Sequence, residues 1–174
     1  DMRPHTARVF VLAMAFVANA QLAAQASVRV FGKPCVFENQ KPELLVAGLP
    51  QLGGSVTLSY LGPNFSTSPS QRVAWPQLVL GMAPKKTDLL PSLLPQQPVG
   101  CTGFVNPEII APMAVAASNP LKFETQVTLP VPNERALIGL HVFAQWLTVV
   151  QQCGVAGCSA VALLTSNAAE FTIG

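Results

Sequence analysis

Residues 139–164 read GLHVFAQWLTVVQQCGVAGCSAVALL, two apolar runs on either side of Cys153 and Cys158. The spacer between the cysteines, Gly154-Val155-Ala156-Gly157, bends tightly enough to bring two sulfurs together, so the stretch reads as a β-hairpin closed by a disulfide. A zinc site would need two further soft or imidazole ligands. Only His141 stands nearby, on the preceding strand. A redox pair would separate its cysteines by two residues rather than four. The hairpin is therefore structural. The remaining cysteines, Cys35 and Cys101, are expected to pair with each other. On a chain-entropy model the long bridge is worth roughly 4 kcal/mol and the short one roughly 2 kcal/mol.

Outward from that hairpin the chain consists of short β-friendly runs punctuated by sixteen prolines, which argue against long helices. SVRVF leads in; PELLVAGLP and GGSVTLSYLG form a hairpin-like pair; RVAWPQLVLGM follows, with Pro76 marking a bulge or an edge. Val56, Leu58 and Tyr60 share one face of their strand and Ser55, Thr57 and Ser59 the other. The same alternation is cleanest in LKFETQVTLP, where Phe123, Thr125, Val127 and Leu129 oppose Lys122, Glu124, Gln126 and Thr128. EIIAPMAVAA, LHVFAQWLTVV, SAVALLT and EFTIG read as further strands, NERALIG as a turn, and PKKTDLLPSLLPQQPVG as a surface loop. About eight strands with no amphipathic helix after residue 26 predict one all-β domain over residues 27–174, a β-sandwich of jelly-roll or immunoglobulin-like type with two disulfides.

Residues 1–26 differ in kind. Arg3, His5 and Arg8 precede the uncharged run VFVLAMAFVANA, and Ala24-Gln25-Ala26 offers small residues to a signal peptidase. This is the layout of a secretory signal, too short for a stable transmembrane span. A retained apolar segment is the other reading, and cleavage after Ala20 the other processing site. The expected location is outside the cell or at its surface, where disulfides persist.

Composition narrows the function. Charged residues make up 10% of the chain and the net charge is +2, with no basic stripe, so nucleic acid is not an expected partner. So little charge leaves weak protection against self-association. After residue 26 the chemistry-bearing inventory is one aspartate (Asp88), one histidine (His141), one tyrosine (Tyr60) and six glutamates. No GxSxG surrounds a serine, no Gly-rich phosphate loop joins a strand to a helix, and no DxDxDG calcium loop occurs. His141 within a strand is expected to be a satisfied sheet residue rather than a base. Glu108, Glu124, Glu134 and Glu170 fall where strand and turn patterns point them outward, so no glycosidase-like pair is marked. No catalytic residue, metal site or cofactor is expected.

Two aromatic positions bear on binding. Trp146 has apolar neighbours on both sides and reads as core. Trp75, in VAWPQL, fits either core or a platform that stacks on sugar rings, with Tyr60 as a second candidate stacking residue. Asn64, in NFS, is an N-x-S sequon on a polar connection, a candidate glycosylation site.

The C-terminal third carries a resemblance. Pro130, Pro132, Asn133, Ala136, Leu137, Gly139, Phe143, Ala144, Gln145 and Trp146, followed by Ser166, Asn167 and Phe171-Thr172-Ile173-Gly174, resemble the "aQW … SN … ftIG" ending of a group of secreted β-sandwich proteins of planctomycete-like bacteria. FGKPC, GLPQLGGSVTLSYLG and LVLG followed by VGC fit the same layout, and QQCGVAGC departs from it by adding a cysteine pair. The resemblance implies a secreted sandwich used as a terminal or surface module and implies no activity. Two functions follow as expectations: a structural subunit that assembles with itself through sheet edges, or a module that binds cell-surface glycans.

Overall fold

The computed structural model describes residues 25–62, 72–89, 94–112 and 123–174. The secretory-signal reading of the N-terminus falls on residues 1–24, outside the described residues, as does Asn64 with its sequon. Ten strands are described: β1 (Ser27–Phe31), β2 (Glu43–Ala47), β3 (Ser55–Gly62), β4 (Arg72–Gly81), β5 (Pro84–Asp88), β6 (Thr102–Val105), β7 (Ile109–Pro112), β8 (Phe123–Pro130), β9 (His141–Gly154) and β10 (Gly157–Thr172). The one helical element among the described residues is a 3-10 turn at Arg135–Leu137. The strands form a five-stranded sheet in the order β1-β10-β9-β4-β7, a three-stranded sheet β2-β3-β8 and a hairpin β5-β6, all antiparallel.

The main core lies between the two larger sheets. Leu44, Val56, Leu58 and Tyr60 from β2 and β3 pack against Leu78, Ala144, Trp146, Ala169 and Phe171 from β4, β9 and β10. The period-2 pattern of β3 thus does what its alternation predicts, burying every second side chain. The strands β9 and β10 do not alternate in this way. Their burial is nearly continuous because the opposite face of the five-stranded sheet is covered too: Val105 and Phe104 of β6 pack with Val79, Phe143, Ala168 and Phe31. A central sheet covered on both faces needs apolar residues on both, and Phe143, Ala144, Trp146 and Leu147 supply them around the buried, hydrogen-bonded Gln145. The molecule is a β-sandwich with a small third layer.

That third layer corrects one expectation. PKKTD, expected as part of a surface loop, forms β5 against β6, with all five of its residues exposed. A second correction concerns the C-terminus, where SAVALLT and the Glu170–Thr172 part of EFTIG lie in one 16-residue strand, β10, with irregularities between Ala160 and Ala162 and between Thr165 and Ala168. Pro76 sits where β4 is paired with β9 but lies beyond the β7 pairing, which covers Gln77–Leu80.

Both expected disulfides are present. Cys153 and Cys158 stand directly opposite each other on β9 and β10, with Cα atoms 4.0 Å apart. Cys35 and Cys101, 66 positions apart in sequence and 4.9 Å apart at Cα, join the segment after β1 to the start of β6. Disulfides of this kind belong to an oxidising compartment. Gly32 lets the chain reach Cys35: its φ is +76°, and a Cβ there would lie 2.5 Å from the Phe104 ring.

Beyond β1, the outer edge of β10 is guarded rather than paired. Cys35 N–H donates to the Thr165 carbonyl (2.7 Å) and Gln96 N–H to the Val161 carbonyl (2.9 Å). The Gln97 amide takes both backbone groups of Leu163, at 2.7 and 2.8 Å. The long disulfide holds this cover in place.

Candidate functional site

The polar residues of the C-terminal motif are built into the fold. At the irregularity between Thr165 and Ala168, Ser166 Oγ accepts the Trp146 N–H at 3.0 Å, replacing a ladder partner. Gln145 is buried; its Oε1 accepts the Phe104 N–H (2.8 Å) and its Nε2 donates to the carbonyls of Ser166 (2.7 Å) and Thr102 (3.3 Å). Asn167 reaches the other way, its Oδ1 accepting the Leu44 N–H (2.8 Å) and its Nδ2 donating to the Leu44 carbonyl (3.0 Å). One amide thus fastens β6 and the other fastens β2 to the central sheet. Hydrogen-bonded amides at a sheet junction specify register as well as stability.

A second polar centre joins loops. Glu38 and Asn39 both have left-handed φ, 50° and 61°, between the bridged residues Phe37 and Gln40. Paired left-handed residues are the signature of a type I′ turn. Arg72 forms an ion pair with Glu38, donates to Gln96 Oε1 (2.9 Å) and lies over the Phe37 ring at 5.4 Å. A planar guanidinium can make these contacts together, where a lysine could not.

The titratable group of most interest at the sequence level, His141, opens β9 and is exposed. Its Nδ1 lies 2.9 Å from Glu170 Oε1, and the other Glu170 oxygen pairs with Arg29 at 2.5 Å. Glu170 is therefore partly covered rather than simply outward, contrary to expectation. Arg29 and Glu170 are direct cross-strand partners on β1 and β10. The carboxylate is occupied from both sides, an arrangement that ties β1, β10 and β9 together on an open sheet face. Among the described residues no three His, Cys, Asp or Glu side chains converge.

The aromatic candidates separate. Trp75 is 47% exposed, with its indole N–H donating to Gln151 Oε1 at 3.0 Å. Its ring is held in one orientation on the sheet surface. Tyr60 is not a stacking residue: it is fully buried, edge-on to Trp146 at 5.5 Å, with its hydroxyl bonded to Thr148 Oγ1 at 2.9 Å. The alternation that groups it with Val56 and Leu58 is the signal that identifies it as core. Trp146 is fully buried as expected, and its Nε1 has no hydrogen-bond partner among the described residues.

Burial pushes the Tyr60 hydroxyl well above its ordinary pKa of 10.0. The folded chain therefore keeps the proton while the unfolded chain loses it, so this contribution is full below pH 10 and shrinks as pH rises. Stability should fall by about 1.4 kcal/mol per pH unit above that point from this group alone. As Tyr60 is the single tyrosine, tyrosinate absorbance should appear only as the fold is lost, and Tyr60→Phe should remove the slope it contributes. Tyrosinate formed at pH 10 in a still-folded chain would contradict this burial.

The edges of the five-stranded sheet are the remaining surface of note. On β1 Val30 is 53% exposed; on β7 Ile109 and Ile110 are 58% and 52% exposed. Beside β1 runs a groove of about 520 Å³ lined by Val28 and Val30 on one side and by Leu44, Leu45 and Val46 of β2 on the other. Edge strands normally carry charged residues, prolines or a covering loop; here Arg29 on β1 and Pro112 on β7 stand beside the exposed Val30, Ile109 and Ile110. No helix among the described residues is long and apolar enough to cross a membrane. No protein-family model, no curated protein and no solved structure matches this chain.

Proposed function

We propose that this protein is a secreted, non-enzymatic structural subunit that assembles with copies of itself through the two edges of its five-stranded sheet. The observation that carries the reading is the pair of exposed apolar edges, Val30 on β1 and Ile109 with Ile110 on β7, at opposite ends of one sheet. A contact between two different edges leaves one of each free on the product. Unless the ring closes, it therefore propagates as a filament. The groove beside β1 gives the side chains of an incoming strand a mixed seat, apolar at Val28, Val30 and Leu44 and polar at Lys41, Glu43 and Asn167, and low net charge does little to oppose the approach. Two disulfides suit an extracellular scaffold.

Light scattering across a concentration series tests the reading. The oxidised protein should grow in mass with concentration, and Val30→Lys or Ile110→Lys should each hold it at the monomer. A wild-type chain that stays monomeric at the highest concentration would remove the proposal. A second reading, a glycan-binding module, has one specific observation in its favour, the Trp75 ring fixed by Gln151 on an open face. Aromatic faces held in this way stack on apolar faces of sugars. Binding on a glycan array that disappears in Trp75→Ala would support it, and no binding would exclude it.

A further inference from the structure

We propose that the end of the sandwich opposite the Cys153–Cys158 hairpin is a binding site for a medium-length aliphatic chain. Between the two larger sheets lies a cavity of about 310 Å³. Val56 and Leu129 line it from the three-stranded sheet, Val142 and Phe171 from the five-stranded sheet, and Leu137 and Leu140 from the segment around the 3-10 turn. All eleven lining residues have apolar side chains.

Three physical features define the ligand. The volume is about twice the ~150 Å³ at which a dry apolar cavity accepts benzene, and it reaches the lower end of ordinary ligand pockets, about 300 Å³. With no polar side chain inside, water has no partners there and a polar solute leaves its solvation unreplaced, so only a hydrocarbon portion enters. The cavity also resists collapse. The C-terminal residues of its wall are pinned by Gly139 N–H to the Ile173 carbonyl (2.8 Å), Ile173 N–H to the Leu140 carbonyl (3.0 Å) and Gly174 N–H to the Pro50 carbonyl (3.2 Å). Val131 is fixed by an exchange of backbone bonds with Gly53 and Gly54, at 3.0 and 2.9 Å. Proline at positions 50, 130 and 132 stiffens the rim. The site is therefore preformed, which favours binding because little ordering remains to be done.

Decanoate and phosphatidylcholine vesicles serve as probes of the free and membrane-borne chain. Decanoate should shift the methyl resonances of Val56, Leu129, Leu137, Leu140 and Val142 in the full oxidised protein and leave distant methyls unmoved. Leu137→Trp, which fills the space, should weaken decanoate binding at least tenfold while keeping or raising the unfolding temperature. Vesicle binding lost in the same variant would assign the source to a lipid tail, and decanoate binding alone would assign it to a free amphiphile. Should Leu137→Trp fail to fold, Val142→Phe carries the same expectation, and the wild-type methyl shifts need no variant. Decanoate and vesicles that both leave the lining methyls unshifted would overturn the proposal, as would binding unchanged in a folded, filled variant.

Discussion

Serine at both Cys35 and Cys101 should lower the stability of the oxidised protein by about 4 kcal/mol in urea unfolding. The estimate follows from the 66-position separation of the two residues, which makes the loop released in the unfolded chain a long one. The loss should not be uniform. Cys35 N–H and the segment preceding Cys101 cover the outer edge of β10, so amides of Val161–Thr165 should exchange faster in the double variant than those of Ala168–Thr172, which β1 still pairs. Serine at Cys153 and Cys158 should cost about 2 kcal/mol, since the loop it opens is short and its strands remain in register. Equal losses from the two bridges would contradict the topology described above.

Gln145→Ala should cost about 3 kcal/mol, again by urea unfolding. The substitution strands the Phe104 N–H and the Ser166 carbonyl in a buried setting and leaves a void where the amide stood. An unpaired buried polar group costs about 1–3 kcal/mol, and the void adds to that. The specific sign is local: β6 should loosen from the central sheet, so the Phe104 amide should lose protection before the amides of β3. A loss below about 1 kcal/mol with Phe104 still protected would show that the third layer is held by its apolar contacts instead.

These two sites mark where the sequence is readable and where it is not. Strands that are half-buried announce themselves by alternation, as in β3 and β8, and the hairpin of β2 with β3 follows from the glycine-rich turn between them. The β5 strand gives no such signal. Its five residues are all exposed, so no face is apolar, and pairing with β6 rather than burial makes it a strand. In β10 the polar run Thr165-Ser166-Asn167 interrupts the apolar pattern and reads as a break. These side chains are instead bonded inward, to the Thr102 carbonyl, the Trp146 N–H and the Leu44 backbone. Single-sequence patterns score such residues as loop because polarity is visible and a partner 63 or 123 positions away is not.

The candidate surface divides in the same way. Trp75 could be placed on either side of its sheet, since its neighbours in VAWPQL give no consistent period, and the structure exposes it. The stacking expectation for Tyr60 fails because the residue shares a strand face with Val56 and Leu58, the face that is buried. The pairing of His141 with Glu170 depends on β9 and β10 being neighbours, which the hairpin reading contains, but Arg29 completes the cluster only because β1 returns beside the C-terminal strand. Such a cluster on an exposed face braces an edge strand. That bracing holds β1 against β10.

Amide hydrogen exchange of the oxidised full chain, compared between dilute and concentrated solution, puts the edge-assembly account to its most direct test. Concentration should slow exchange at Val28–Phe31 of β1 and at Ile109–Ala111 of β7 and leave the outer strand β8 unchanged. Exchange at both edges that stays the same across the concentration range would contradict it.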